Sequence, residues 1–145
     1  WLAKLDPENC LFATAPDVVG DAAATRERAY PILPKIRELG FKAAYVVQDG
    51  ETPDAVLWDE LDAIFIGGST EWKLSQAAAD LAAEAKRRGK WVHMGRVNSL
   101  KRIRFADAIG CDSVDGTYLA FAPEKNTERL KGWLKAINDQ PELEL

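Results

Sequence analysis

Short apolar runs that break off into glycine and polar residues recur along the chain: CLFATA at 10–15, AAYVVQ at 43–48, AIFIGG at 63–68, WVHMG at 91–95 and the shorter CDSVD at 111–115. The middle three are apolar on both faces and rich in β-branched or aromatic residues, the pattern of strands buried on both sides in a parallel sheet. Helical signals lie between the runs. Residues 21–40 carry one, which Pro31 and Pro34 should break or kink and Gly40 should end. Residues 71–89 carry a cleaner stripe through Leu74, Ala77, Ala78, Leu81, Ala82 and Ala85, closed by Gly89. A third helix follows Asn98, a good N-cap, and stops at Gly110. A last helix begins near Asn126 or Thr127 and buries Leu130, Trp133, Leu134 and Ile137, and a short one is expected between the second and third strands.

This alternation predicts an α/β domain with a parallel sheet and right-handed crossovers. Two architectures compete, an open doubly wound sheet and a segment of a (β/α)8 barrel. The 145 residues, 47% of them hydrophobic, suit one domain with one sizeable core, whereas a full barrel takes about 250 residues. The polar residues decide, because barrel chemistry sits at the carboxyl ends of the strands and in the loops that follow. Every run ends in such residues: APDVVGD, QDG, GGSTEWK, MGRVNS and DSVDGTYL, in that order. The expected fold is therefore TIM-barrel-like, with (β/α) repeats giving about five parallel strands of an incomplete (β/α)8 barrel. Residues 1–145 would form a single barrel-type domain that lacks its N-terminal strands. The opening WLAKLDPENC reads as the end of an amphipathic helix running into a strand, and an upstream portion is expected before Trp1.

Composition narrows the setting. No apolar run approaches the roughly 18 residues of a membrane span. Cys10 and Cys111 lack CxxC or metal-like spacing, which fits two buried apolar thiols in a reducing cytoplasm. With Cys10, Cys111 and His93 scattered, no metal site is expected, and nothing points to a cofactor. The net charge of -4 argues against a surface coated for nucleic acid. From Lys86 to Arg104, however, the chain is basic without one acidic residue. That stretch is either two solvated helix ends or a phosphate-contacting edge, with Lys73, Arg96, Lys101 and Arg102 as candidates to hold phosphates.

The stretch GCDSVDG, 110–116, places two carboxylates three apart. Odd spacing on a strand puts Asp112 and Asp115 on opposite faces, so only one enters a pocket, unless both are simply turn residues. Gly116 permits a close turn beside Asp115, while Asp112 would pair with a nearby Arg or Lys or cap a helix. Gly67 and Gly68 admit close approach by a planar ligand, or form a tight βα turn. Gln48 offers a donor and an acceptor that suit a guanine edge, or is a surface amide. His93, a lone histidine on a strand, reads as a satisfied structural residue outside the catalytic set.

Taken in order, PDVVGD, VVQDG, FIGGSTEWK, VHMGRVNS and GCDSVDG resemble the later strands of the tRNA-guanine transglycosylase superfamily. They look closest to its compact phage and bacterial relatives, the queuine tRNA-ribosyltransferase-like and 7-deazaguanine DNA transglycosylase proteins. The resemblance spans roughly residues 10–135; each motif alone is weak, and five in order are fairly specific. It implies a pentosyltransferase that replaces guanine in DNA or tRNA with a 7-deazaguanine base. The final-strand pattern G-x-D-x-x-D makes Asp115 the nucleophile. Gln48 would hydrogen-bond the base, Gly67 and Gly68 would line its pocket, and Met94, beside Gly95, would pack on it. Asp17 would read the guanine edge, a looser match because it follows Pro16 where the family's aspartate precedes. An ionised carboxylate can attack an anomeric carbon at pH 7 without an activating base.

The chain departs from the family in lacking the early strands, with their second catalytic aspartate, and the zinc-binding segment of the tRNA enzymes. Open sheet edges would follow, leaving a truncated piece, an inactive one, or one completed by assembly, a homo-oligomer included. Two other functions stay open: a barrel remnant that binds a nucleobase or nucleotide without chemistry, and an unrelated barrel lyase or isomerase with GGST as a phosphate turn at a helix N-terminus.

Overall fold

The computed structural model describes residues 1–139. Its sheet has five parallel strands in sequence order: β1 (Ala13–Thr14), β2 (Ala43–Val47), β3 (Ala63–Ile66), β4 (Trp91–Met94) and β5 (Ser113–Val114). A doubly wound sheet reverses its strand order at a switch point. Here the order never doubles back, each crossover advances one strand, and the sheet curls into a half-barrel flanked by helices. The curl can be seen in one contact. Phe12, just before β1, packs edge-on against His93 of β4 with ring centroids 5.4 Å apart. In a flat sheet those strands would stand about 14 Å apart.

Alternation along the strands sorts side chains between the two faces. Tyr45 and Val47 of β2, Ile64 and Ile66 of β3, and Val92 and Met94 of β4 face the helices and join Leu33, Leu81, Ile103 and Ala106 in the core. The concave face carries the intervening row, Val46, Phe65, His93 and Ser113, which the parallel register sets side by side. Two residues further along each strand, the next row is Gln48, Gly67, Gly95 and Asp115, at the carboxyl ends.

The helices depart from expectation at their ends. The 21–40 segment does break at its prolines, into α1 (Ala22–Ala29) and α2 (Leu33–Glu38). The 71–89 segment is also split, into α3 (Thr70–Lys73) and α4 (Gln76–Arg87), because Ser75 takes an extended conformation and restarts the helix. Along it, Ala78, Leu81, Ala82 and Ala85 are buried, but Ala77 is exposed. Helix α5 (Leu100–Ala108) is capped by Ser99 and not by Asn98, whose Oδ1 accepts from the Tyr118 amide instead. Helix α6 (Pro123–Asn138) starts earlier than expected, with Pro123 at its first position, and leaves Leu134 exposed. Residues 1–9 hold two short 3-10 turns where the end of an amphipathic helix was expected, and two more such turns replace the short helix between β2 and β3. None of the described helices is long and apolar enough to cross a membrane.

Candidate active site at the carboxyl ends of the strands

Each pair of neighbouring strand ends is latched by polar bonds, and the latches build the rim. Between β1 and β2, Gln48, 1% exposed, donates from Nε2 to Asp17 Oδ2 at 2.6 Å and accepts the Gly20 amide at Oε1 at 2.9 Å. The loop after β2 is pinned from below by Glu51, fully buried, which accepts from Tyr45 and from Arg26. Between β2 and β3, the Asp49 carboxylate accepts both the amide and the hydroxyl of Ser69. Burial would raise the Asp49 carboxyl, but these two bonds and the nearby Arg96 charge outweigh it and hold the group low.

Gly68 sits in this latch with φ +73°, and a Cβ there would lie 2.5 Å from Asp49 Oδ2 and 2.7 Å from the Trp72 ring. The conformation and the space both require glycine. A Cβ on Gly67 would meet Val46 and the Gln48 amide. At Gly95 a Cβ would fall 2.5 Å from the Phe65 ring and 3.5 Å from Asp115 Oδ2. The three glycines, all buried, therefore let the side chains of Val46, Gln48, Asp49, Trp72 and Phe65 close directly over the backbone between Gln48 and Asp115.

Asp115 closes the row. Its Oδ1 accepts the Arg96 amide at 3.0 Å and its Oδ2 faces His93 Nε2 at 2.9 Å. Burial would push its carboxyl up, but the His93 and Arg96 hydrogen bonds, with the Lys73 ammonium nearby, outweigh that and hold it below the ordinary carboxylate range. The side chain is half-exposed at 51%. An ionised, oriented and accessible carboxylate can attack an electrophilic carbon or stabilise a developing cation. Asp112, on the opposite face, is tied away from the rim by Lys86 Nζ at 2.5 Å and by the Val92 amide.

The structure brings Asp17, Gln48, Gly67, Gly68, Gly95 and Asp115 to one rim, but not Met94. Strand alternation turns Met94 to the helix side, where it is fully buried in the core, so it cannot pack on a ligand held at the rim. The expected phosphate contacts also divide. Lys101 is exposed on α5, and Arg96 is exposed at the end of β4 with its guanidinium on the Gly68 carbonyl. Arg102 reaches back to the Arg96 carbonyl at 2.9 Å. Arg96 holds a left-handed backbone, φ 58°, which orients its amide toward Asp115 at a cost of about 1 kcal/mol. Lys73 is fully buried, with Nζ on the Gly95 carbonyl at 2.7 Å, so it cannot contact a phosphate at the surface. Burial and the Arg96 and Arg102 charges lower its ammonium to about 8, against the opposing pull of Asp115.

Sequence reasoning set aside His93, and it missed Ser113, Trp91 and Asp49. His93 is 8% exposed, sandwiched by Phe12 and Phe65, with Nδ1 2.7 Å from Ser113 Oγ. Ser113 Oγ in turn accepts from Trp91 Nε1 at 2.8 Å. The period of two was the available signal: His93 lies two before Gly95, and Ser113 two before Asp115. Among the described residues no three His, Cys, Asp or Glu side chains gather as ligands for a metal ion. Cys10 and Cys111 are both free thiols, and burial pushes that of Cys111 up to about 12.

No protein-family model matches the chain, and no curated protein matches it.

Proposed function

We propose that this protein is a base-exchanging transglycosylase of the tRNA-guanine transglycosylase type, replacing guanine in DNA or tRNA with a 7-deazaguanine. The observation that carries the reading is Asp115: ionised, half-exposed, and oriented at the strand ends by His93 and the Arg96 amide. The part-exposed Asp17 carboxylate, oriented by the buried Gln48 amide, offers an acceptor for a guanine edge. An Asp115 oxygen attacks the anomeric carbon, the bond to guanine N9 breaks with its electron pair leaving on the base, and a covalent aspartyl-sugar ester remains. The departed guanine takes a proton from solvent, and N9 of the incoming 7-deazaguanine, giving its proton to solvent, then attacks the same carbon and expels the carboxylate. The N–H groups of His93 and Arg96 favour that departure, because they stabilise the charge returning to Asp115. The exposed Arg96 and Lys101, with Arg102 beside them, hold the flanking phosphates, and a target in duplex DNA is flipped out to reach the rim.

Two other readings meet specific obstacles. Ser113, His93 and Asp115 stand in hydrogen-bonded sequence, as in an acyl hydrolase. The Arg96 amide that could serve an oxyanion is engaged by Asp115, and Ser113 lies one row below the rim. A phosphate turn at GGST would need the Ser69 amide, which the Asp49 carboxylate already holds.

The test is incubation with labelled guanine, or a labelled 7-deazaguanine, and either a DNA duplex or tRNA. Label should enter one of the two nucleic acids. Binding of the free base without any incorporation would instead indicate a nucleobase-binding protein, and thermal stabilisation by sugar phosphates alone would indicate the metabolite enzyme.

A further inference from the structure

The imidazole behind Asp115 has a direction built into its hydrogen bonds. Trp91 Nε1 can only donate, so Ser113 Oγ accepts from it at 2.8 Å. An ionised carboxylate can only accept, so His93 Nε2 carries the proton it shares with Asp115 Oδ2 at 2.9 Å. In the neutral ring Nδ1 is then the acceptor, and the Ser113 hydroxyl donates to it at 2.7 Å. The donors thus run one way, from Trp91 through Ser113 and His93 to Asp115, and each bond polarises the next. Phe12 and Phe65 pack on the imidazole from two sides, at centroid distances of 5.4 and 4.5 Å, and keep it from turning. No such relay stands behind Asp112.

We propose that His93 is a positioning residue for Asp115: locked by Ser113, Trp91 and the two phenylalanines, it fixes the carboxylate in one orientation toward the rim. For the exchange reaction this rests on the reading of Asp115 as nucleophile; the hydrogen-bond direction does not. Besides His93, the groups that hold Asp115 low are the Arg96 amide and the Lys73 ammonium, and both are retained in the variants below.

His93 is the one histidine in the chain, so its ring nitrogens give unambiguous 15N resonances. Where the ring is neutral, the wild-type protein should show the Nε2-protonated tautomer, and Asp115→Ala, which removes the acceptor that fixes it, should release it to a mixture. His93→Phe, which fills the same slot between aromatic rings, should raise the titration midpoint of the Asp115 carboxyl. It should also lower kcat for exchange by about tenfold to a hundredfold with KM for the base unchanged. His93→Gln can still donate to Asp115 and should recover most of both. A wild-type Nδ1-protonated tautomer would overturn the proposal. So would a folded His93→Phe with unaltered Asp115 titration. If His93→Phe does not fold, the tautomer comparison with Asp115→Ala decides. If the wild-type protein exchanges no guanine, the proposed function fails, while the tautomer and titration results still decide the role of His93.

Discussion

Asp115→Asn should reduce guanine exchange by about 10^4-fold or more, the scale seen when a nucleophile is removed, while the protein stays folded. The substitution keeps the shape and removes the charge that attacks the anomeric carbon. Its cost to the fold is bounded by two hydrogen bonds: an Asn amide can accept from either the Arg96 amide or His93, but not from both without turning its NH2 toward a donor. That mismatch is worth about 1–2 kcal/mol at a half-exposed site, too little to unfold an ordinary domain. Asp112→Asn is the matched control. Asp112 is bound to Lys86 on the far side of β5, so its loss should weaken an exposed ion pair and leave exchange within about twofold. A folded Asp115→Asn that exchanges at the wild-type rate would remove the nucleophile assignment.

Lys73 should give the fold an unusual alkaline dependence. Its ammonium, fully buried beside the Arg96 and Arg102 charges, titrates at about 8 in the folded protein against 10.5 for an ordinary lysine. Below pH 8 it is protonated in both states, and the fold bears the whole cost of burying the charge. Between pH 8 and 10.5 the folded protein loses this proton first, the unfolded chain binds more, and the Lys73 contribution to stability rises with pH. The rise amounts to at most about 3 kcal/mol. Cys111, Tyr45 and Tyr30 work in the opposite direction, because burial raises their folded values and the unfolded chain loses those protons first. Lys73→Met isolates the effect, since it keeps an unbranched side chain in the same space. Denaturant unfolding across this range should show wild type gaining on Lys73→Met as pH rises. A constant difference would mean that the ammonium is not buried as described.

The sequence makes the sheet legible because the three central strands, largely buried, leave unbroken apolar runs, and all five runs contain the observed strands. Alternation likewise separated Asp112 from Asp115 and anticipated a cation for Asp112, found in Lys86. What could not be read depends on register between strands. His93 meets Ser113 because β4 and β5 pair at that step, and a one-residue slip would part them. Lys73 is drawn inward by a carbonyl on a different strand, Gly95, which nothing in EWKLS announces. Met94 was placed by resemblance on the base, against its own alternation with His93, and the alternation prevailed. Helix ends were the least legible: Ser99 and Asn98 are both good caps, and only the Tyr118 amide, arriving from the loop after β5, claims Asn98.

The most direct measurement is mass spectrometry of the protein denatured during turnover on a guanine-containing nucleic acid, with no incoming base supplied. A covalent aspartyl-sugar intermediate predicts nucleic acid attached to the peptide that contains Asp115, released when guanine or a 7-deazaguanine is added before denaturation. Exchange that proceeds with no adduct, or with an adduct on any other residue, would contradict the account.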